Sequence, residues 1–283
     1  MKRSVVVTGA STGVGRVTVR QLVAEGFHVW PTVRRQEDAD ELRAEFGERV
    51  EPLLLDLTDH DAVRAAGHRV REAGPLHGLV NNAGTVVAGP LEYVPIESFR
   101  DQLDVNLVGQ LLMTQVMLPA LRLAESPRIV MVGSIAGRVA GPMLGPYQVS
   151  KFGLVGLTDT LRVELGPAGI AVCLVELGII RTPIWTRGVD QADQLGERMP
   201  PDADRYASLF EVTRTVASRA RRSGTSPEVP AGRIVAALTE DRPRPRRTAG
   251  WDARLLAVAT RFLPYRMLYR LTPTPSTTRL HRK

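Results

Sequence analysis

The chain has 283 residues, 43% apolar and 24% charged, with one cysteine, Cys173; this excludes a disulfide framework and describes a soluble globular protein of a reducing, cytoplasmic setting. The net charge of +7 is uneven, because residues 242–283 hold eleven Arg and Lys against one acid, Asp252, while residues 1–241 are mildly acidic. Basic charge confined to one end is not the reading face of a nucleic-acid-binding domain, so no nucleic-acid partner is expected. The five histidines show no metal-ligand spacing, and no metal site is expected. No run of about 18 apolar residues predicts a spanning helix, and the apolar run after Met1-Lys2-Arg3 is too short for a signal peptide.

Short apolar runs at 5–7, 29–33, 52–55, 78–80, 129–132 and 170–175 read as strands buried on both faces. The segments 14–25, 37–46, 59–73, 97–124 and 147–166 read as helices between them. Alternation of this kind predicts an α/β fold, a doubly wound parallel sheet of the Rossmann type with helices on both faces. Residues 183–228 break the rhythm without a strand, as a substrate lid would. The expected organisation is one domain over 1–250 containing that lid, then a basic amphipathic C-terminal extension over 251–283.

The first strand runs into Thr8-Gly9-Ala10-Ser11-Thr12-Gly13-Val14-Gly15. Glycines at a strand–helix junction let backbone amides approach a pyrophosphate at the helix N-terminus. The second strand ends at Arg34-Arg35, where an acid would bind the adenosine ribose of NAD. No acid stands there; arginine clamps a 2′-phosphate, so NADP is favoured, with NAD the alternative. Asn81-Asn82-Ala83-Gly84 follows the fourth strand, and Ser134 ends the fifth, thirteen residues before Tyr147.

Lys151 is the one interior lysine of a chain that writes almost every other cation as Arg, and it lies four residues after Tyr147. On a helix the two share a face. A compact ammonium beside a phenol lowers the phenol's pKa and makes an acid/base pair.

Together these motifs resemble the short-chain dehydrogenase/reductase family over residues 4 to about 250: TGASTGVG at 8–15, Asp56-Leu57, NNAG at 81–84, Asn106 within DVNLVG, Ser134, and YQVSK at 147–151. The resemblance implies an NAD(P)-dependent oxidoreductase and a homo-oligomer. It implies Tyr147 as acid/base on the substrate oxygen and Lys151 as its pKa-lowering partner and ribose ligand. Ser134 is implied as a second donor to that oxygen, and Asn106 as anchor of a relay water. The cofactor set it implies comprises Gly9, Ser11, Thr12, Gly13, Val14, Gly15, Arg34, Asp56, Leu57, Asn82, Ala83, Gly84, Tyr147, Lys151, Ile180 and Thr182. One departure is Leu177-Gly178, where the family carries Pro-Gly. The alternative is a cofactor-binding regulatory or scaffold protein on the same fold, since fold alone does not settle function.

For the substrate, Val86, Val139, Met143, Leu144, Ile184 and Trp185 are expected to line the cleft, with Leu195, Met199, Tyr206, Leu209 and Phe210 from the lid. Apolar walls suit a bulky lipophilic alcohol or ketone. Residues 251–263, WDARLLAVATRFL, gather Trp251, Leu255, Leu256, Val258, Ala259, Phe262 and Leu263 on one helical face. That face is expected to pack on the body or a second subunit, with an anionic membrane surface as the alternative.

Overall fold

Alternate residues of a strand point to opposite sides of a sheet. Here both sets are apolar, so each strand needs cover on both faces. The computed structural model, which describes residues 3–270, meets that need with a seven-stranded parallel sheet in the order β3-β2-β1-β4-β5-β6-β7. The strands are β1 (Ser4–Val7), β2 (His28–Val33), β3 (Leu53–Leu54), β4 (Gly78–Asn81), β5 (Arg128–Ser134), β6 (Ala171–Leu177) and β7 (Arg246–Ala249). Val5, Val7, Val130 and Val132 face α1 (Gly13–Ala24), α2 (Gln36–Phe46) and α9 (Glu228–Thr239). Val6, Leu79, Ile129 and Met131 face α3 (His60–Glu72), α5 (Gly109–Leu121) and α6 (Gly145–Leu165). β1 pairs with β2 on one side and β4 on the other. The chain reverses its winding there, which opens a crevice beyond the strand C-termini.

Three features depart from the sequence expectation. β7 is a seventh strand inside the basic segment: Arg246 and Arg247 are strand residues paired with Leu174 and Val175, not tail residues. α9 is not among the expected helices; Pro230 falls in its first turn, where proline is tolerated. The helix expected over 97–124 is divided into α4 (Ile96–Leu103), a π-helical turn (Asp104–Val108) and α5. Such widened turns cluster at functional sites. At its end Gly109 abuts Leu57, and a Cβ there would stand 2.9 Å from the Leu57 carbonyl.

The insertion over 183–228 folds as α7 (Ile184–Gly196) and α8 (Ala207–Ser223). α10 (Trp251–Phe262) and α11 (Tyr265–Arg270) follow β7; residues 271–283 of the expected extension lie outside the described residues. Ile179 N–H donates to Asp252 Oδ2 at 2.6 Å, tying the first turn of α10 to the loop after β6. This fixes the helix's rotation, and of the expected coverings it corrects the packing of that whole face on the body. Ala253 is buried, whereas Trp251, Leu255, Val258 and Phe262 are exposed. Among the described residues no helix is long and apolar enough to cross a membrane.

Candidate active site

A cleft of about 1000 Å³ lies beyond the C-terminal ends of the central strands, and the sequence motifs converge on it. The glycine turn forms one end. Gly9 and Gly13 take positive φ of 66° and 58°, a region that glycine enters freely. A Cβ on Gly9 would come within 2.7 Å of the Ala83 backbone, and one on Gly15 within 2.7 Å of Asn82 Nδ2. The Thr12 side chain does not cap α1, so the first-turn amides are left for an anionic group. Thr8 Oγ1 accepts from the Asn82 and Ala83 amides at 2.9 Å each, and Asn82 Nδ2 donates to Thr8 O at 2.9 Å. The two loops are thereby one rigid cradle, and Ser11, Val14 and Gly84 complete its wall. These residues fit a dinucleotide pyrophosphate.

Arg34, Asp56 and Leu57 line the far end of the cleft. Arg34 is largely exposed and only 3.6 Å from Asp56 Oδ2. The expectation that no acid stands here needs correction, because Asp38 also lines this wall. The first turn of α2 brings it back beside Arg35, which donates to both its oxygens at 3.0 and 2.8 Å. These bonds hold the Asp38 carboxyl below the usual carboxylate range, and Arg35 is committed to it.

At the cleft's centre Ser134 closes β5, and Tyr147 and Lys151 project from the first turns of α6, which Pro146 starts. Ser134 Oγ accepts from Ala136 N at 3.1 Å. Lys151 is 4% exposed and donates from Nζ to the Val132 carbonyl at 3.0 Å. Its ammonium is 5.8 Å from the Tyr147 ring centre. Burial lowers the Lys151 pKa to about 8. Burial raises that of Tyr147, and a hydrogen bond with Ser134 draws it partly back. The phenol of this structure is thus held protonated, the reverse of the lowering expected from its neighbour. The lysine turns its charge to a carbonyl, and desolvation governs both groups.

Asn106 is not on the cleft wall. It is fully buried in the π-helical turn, accepting from Thr85 N and donating to Thr85 O and Ser150 Oγ. Ser150 in turn donates to the Tyr147 carbonyl at 2.6 Å. Sequence reasoning missed two companions, Gln110, which donates to Ala83 O at 2.7 Å, and Gln102, which brackets Thr85 and Val87. Neither carries a motif signal. It also missed the pair of Arg138 with fully buried Glu176, bonded at 2.7 and 2.6 Å, which ties the loop after Ser134 to β6.

Val86, Val139, Leu144, Ile184 and Trp185 line the remaining wall, beside Ile180, Thr182 and Leu177. Met143 does not; with Phe210, Met199, Tyr206 and Leu209 it packs in a separate small core under the lid. Leu195 lies against Gly89, and Tyr206 donates to Glu92. Those lid residues are used in that core and against Gly89, and α8 offers the cleft Val212, Val216 and Ala217 instead. Leu256 of α10 and Leu268 of α11 close the apolar end.

Residues 3–193 match the family model of short chain dehydrogenases. An NADPH-dependent 3-dehydrocapnine reductase of Ornithobacterium rhinotracheale is 32% identical over 94% of this chain and 94% of its own. A 17-beta-hydroxysteroid dehydrogenase type 6 of Bos taurus is 34% identical over 92% of this chain and 84% of its own. Among solved structures, a short chain dehydrogenase from Burkholderia cenocepacia in complex with NADP superimposes with a TM-score of 0.75 at 26% identity, covering 96% of this chain and 98% of that one.

Proposed function

The chain belongs to the short-chain dehydrogenase/reductase family, and from that premise we propose that it is an NADP-preferring oxidoreductase interconverting a lipophilic secondary alcohol and its ketone. The observation that carries this reading is the convergence of Ser134, Tyr147 and Lys151 in a cleft whose wall also includes Val86, Val139, Leu144, Ile184 and Trp185. The nicotinamide supplies the hydride chemistry. The protein's part is to orient the partners and to move a proton at the substrate oxygen.

In the direction of ketone reduction, Tyr147 Oη gives its proton to the carbonyl oxygen as charge develops there. Its raised pKa keeps that proton in place at neutral pH. Ser134 Oγ, the hydrogen-bond neighbour of the phenol, donates to the same oxygen. Lys151, mostly protonated at neutral pH with its pKa of about 8, stabilises the phenolate that remains. Asn106 is a positioning residue: through Ser150 it holds the turn that carries Tyr147.

Support for NADP comes from Arg34, which is exposed at the adenosine end and held by Asp56 only at 3.6 Å, whereas Arg35 is bonded to both oxygens of Asp38. The reductase relative is named for NADPH and the Burkholderia structure holds NADP. Support for a lipophilic substrate comes from the apolar wall and from the steroid dehydrogenase relative. The test is cofactor oxidation with NADPH across ketones of increasing apolar bulk. kcat/KM should rise with bulk before steric exclusion, and a preference for small polar carbonyls would refute the substrate class.

A further inference from the structure

α10 is amphipathic twice over. Its inward side is spent on the body: Asp252 holds the loop after β6, Ala253 is fully buried, and Leu256 faces the cleft. Its outward side carries Trp251, Leu255, Val258 and Phe262, spaced so that they form one helical stripe. They are 75%, 64%, 52% and 73% exposed, and Met267 on α11 extends the patch at 49%. Arg254 and Arg261 border the stripe along one side, and Arg266 is exposed beyond its end. The segment itself sets no carboxylate on the stripe, because Asp252 is the one acid from residue 242 onward and accepts from Ile179 N on the inward side.

We propose that this stripe docks the protein on an anionic lipid bilayer, with α10 lying in the interfacial plane. An apolar ridge edged by cations matches headgroup phosphates above an acyl boundary, and an indole at the helix start suits that interface. A second copy is the poorer complement. Twofold packing of the ridge on itself would set Arg254, Arg261 and Arg266 against their own likes, with no acid of the ridge to pair them. The placement also gives the surface a purpose. α10 and α11 present Leu256 and Leu268 to the apolar end of the cleft, so docking brings the cleft mouth to the bilayer, and a lipophilic substrate passes from lipid to cleft without crossing water. This last step rests on the proposed substrate class; the docking itself does not.

The test uses full-length protein and co-sedimentation with vesicles of phosphatidylcholine alone or mixed with phosphatidylglycerol, without cofactor or substrate. Wild type should bind the mixed vesicles at low salt, release with rising salt, and ignore phosphatidylcholine alone. Leu255→Glu with Phe262→Glu, and separately Arg254→Glu with Arg261→Glu, should each weaken binding at least about tenfold. All these positions are exposed, so melting temperature and activity on a water-soluble ketone should match wild type. Wild type that stays in solution with anionic vesicles at low salt overturns the proposal, and so do variants that bind as well as wild type. Light scattering in which Leu255→Glu with Phe262→Glu dissociates an oligomer while vesicle binding is unchanged assigns the stripe to a second copy and also overturns it. Vesicle binding is read without turnover, so it stands or falls separately from the proposed activity.

Discussion

Replacing Lys151 by Met should separate stability from function. The side chain is 4% exposed and its ammonium makes one hydrogen bond, to the Val132 carbonyl. Unfolded, it keeps its proton to the ordinary value of 10.5; folded, it gives it up at about 8. At about 1.4 kcal/mol per pH unit, holding the ammonium in the fold at pH 7 costs about 3 kcal/mol. Methionine has similar length and no charge, so it removes that penalty and forfeits one charged hydrogen bond worth about 1.5–3 kcal/mol. The net expectation is a gain of up to about 1.5 kcal/mol, or a melting temperature higher by up to roughly 6 °C for a domain of this size. Between pH 8 and 10.5 the unfolded chain binds the extra proton, so the lysine's penalty is full below about pH 8 and fades as pH rises. The stability advantage of the Met variant should therefore shrink over that range. Turnover should fall by about 10² or more despite the added stability. Thermal unfolding of the cofactor-free proteins from pH 6 to 10 is the assay. A Met variant less stable than wild type at pH 7, or an advantage that grows with pH, would refute the reasoning.

Tyr147→Phe removes one hydroxyl and little volume, so cofactor affinity by fluorescence titration should stay near wild type while kcat falls by roughly 10² to 10⁴. Arg34→Asp should shift the ratio of kcat/KM values from NADP toward NAD by removing a phosphate partner and adding repulsion; wild type that already prefers NAD contradicts the premise. Gly15→Ala has no room for its methyl beside Asn82 Nδ2 and the Gly9 carbonyl, so cofactor binding by calorimetry should be lost or severely weakened. Arg138→Met strands the fully buried Glu176 carboxylate and should destabilise the protein by about 3–5 kcal/mol in urea unfolding.

Much of the architecture was legible because it is written in apolar alternation. Val5, Val6 and Val7 announce a central strand on their own. β7 is not so written: Arg-Arg-Thr-Ala at the sheet edge needs cover from one neighbouring strand only and carries no apolar run. The cleft's backbone half was legible because glycines and short polar side chains at fixed spacing have few other uses. Side chains that act through space were not. Asp38 reaches the adenosine wall by a turn of helix, Gln110 reaches Ala83 across 27 residues of chain, and Asp252 reaches Ile179 across 73. Lid residues were misassigned for a related reason: an apolar residue of a lid has two surfaces to choose from, and Phe210 and Met199 pack in the small core with Ala88, Met143 and Ala192 rather than on the cleft. The protonation state of Tyr147 was misjudged because proximity to a cation was weighed without desolvation.

Isotope transfer tests the central claim most directly. NADPH carrying deuterium at the reactive nicotinamide carbon is incubated with enzyme and a lipophilic ketone, and the alcohol is analysed by mass spectrometry. The account expects one deuterium on the carbinol carbon with wild type and little labelled alcohol with Tyr147→Phe in the same time. Tight NADPH binding with no labelled alcohol from any ketone of the series would contradict it, and would leave a cofactor-binding protein that does no hydride chemistry.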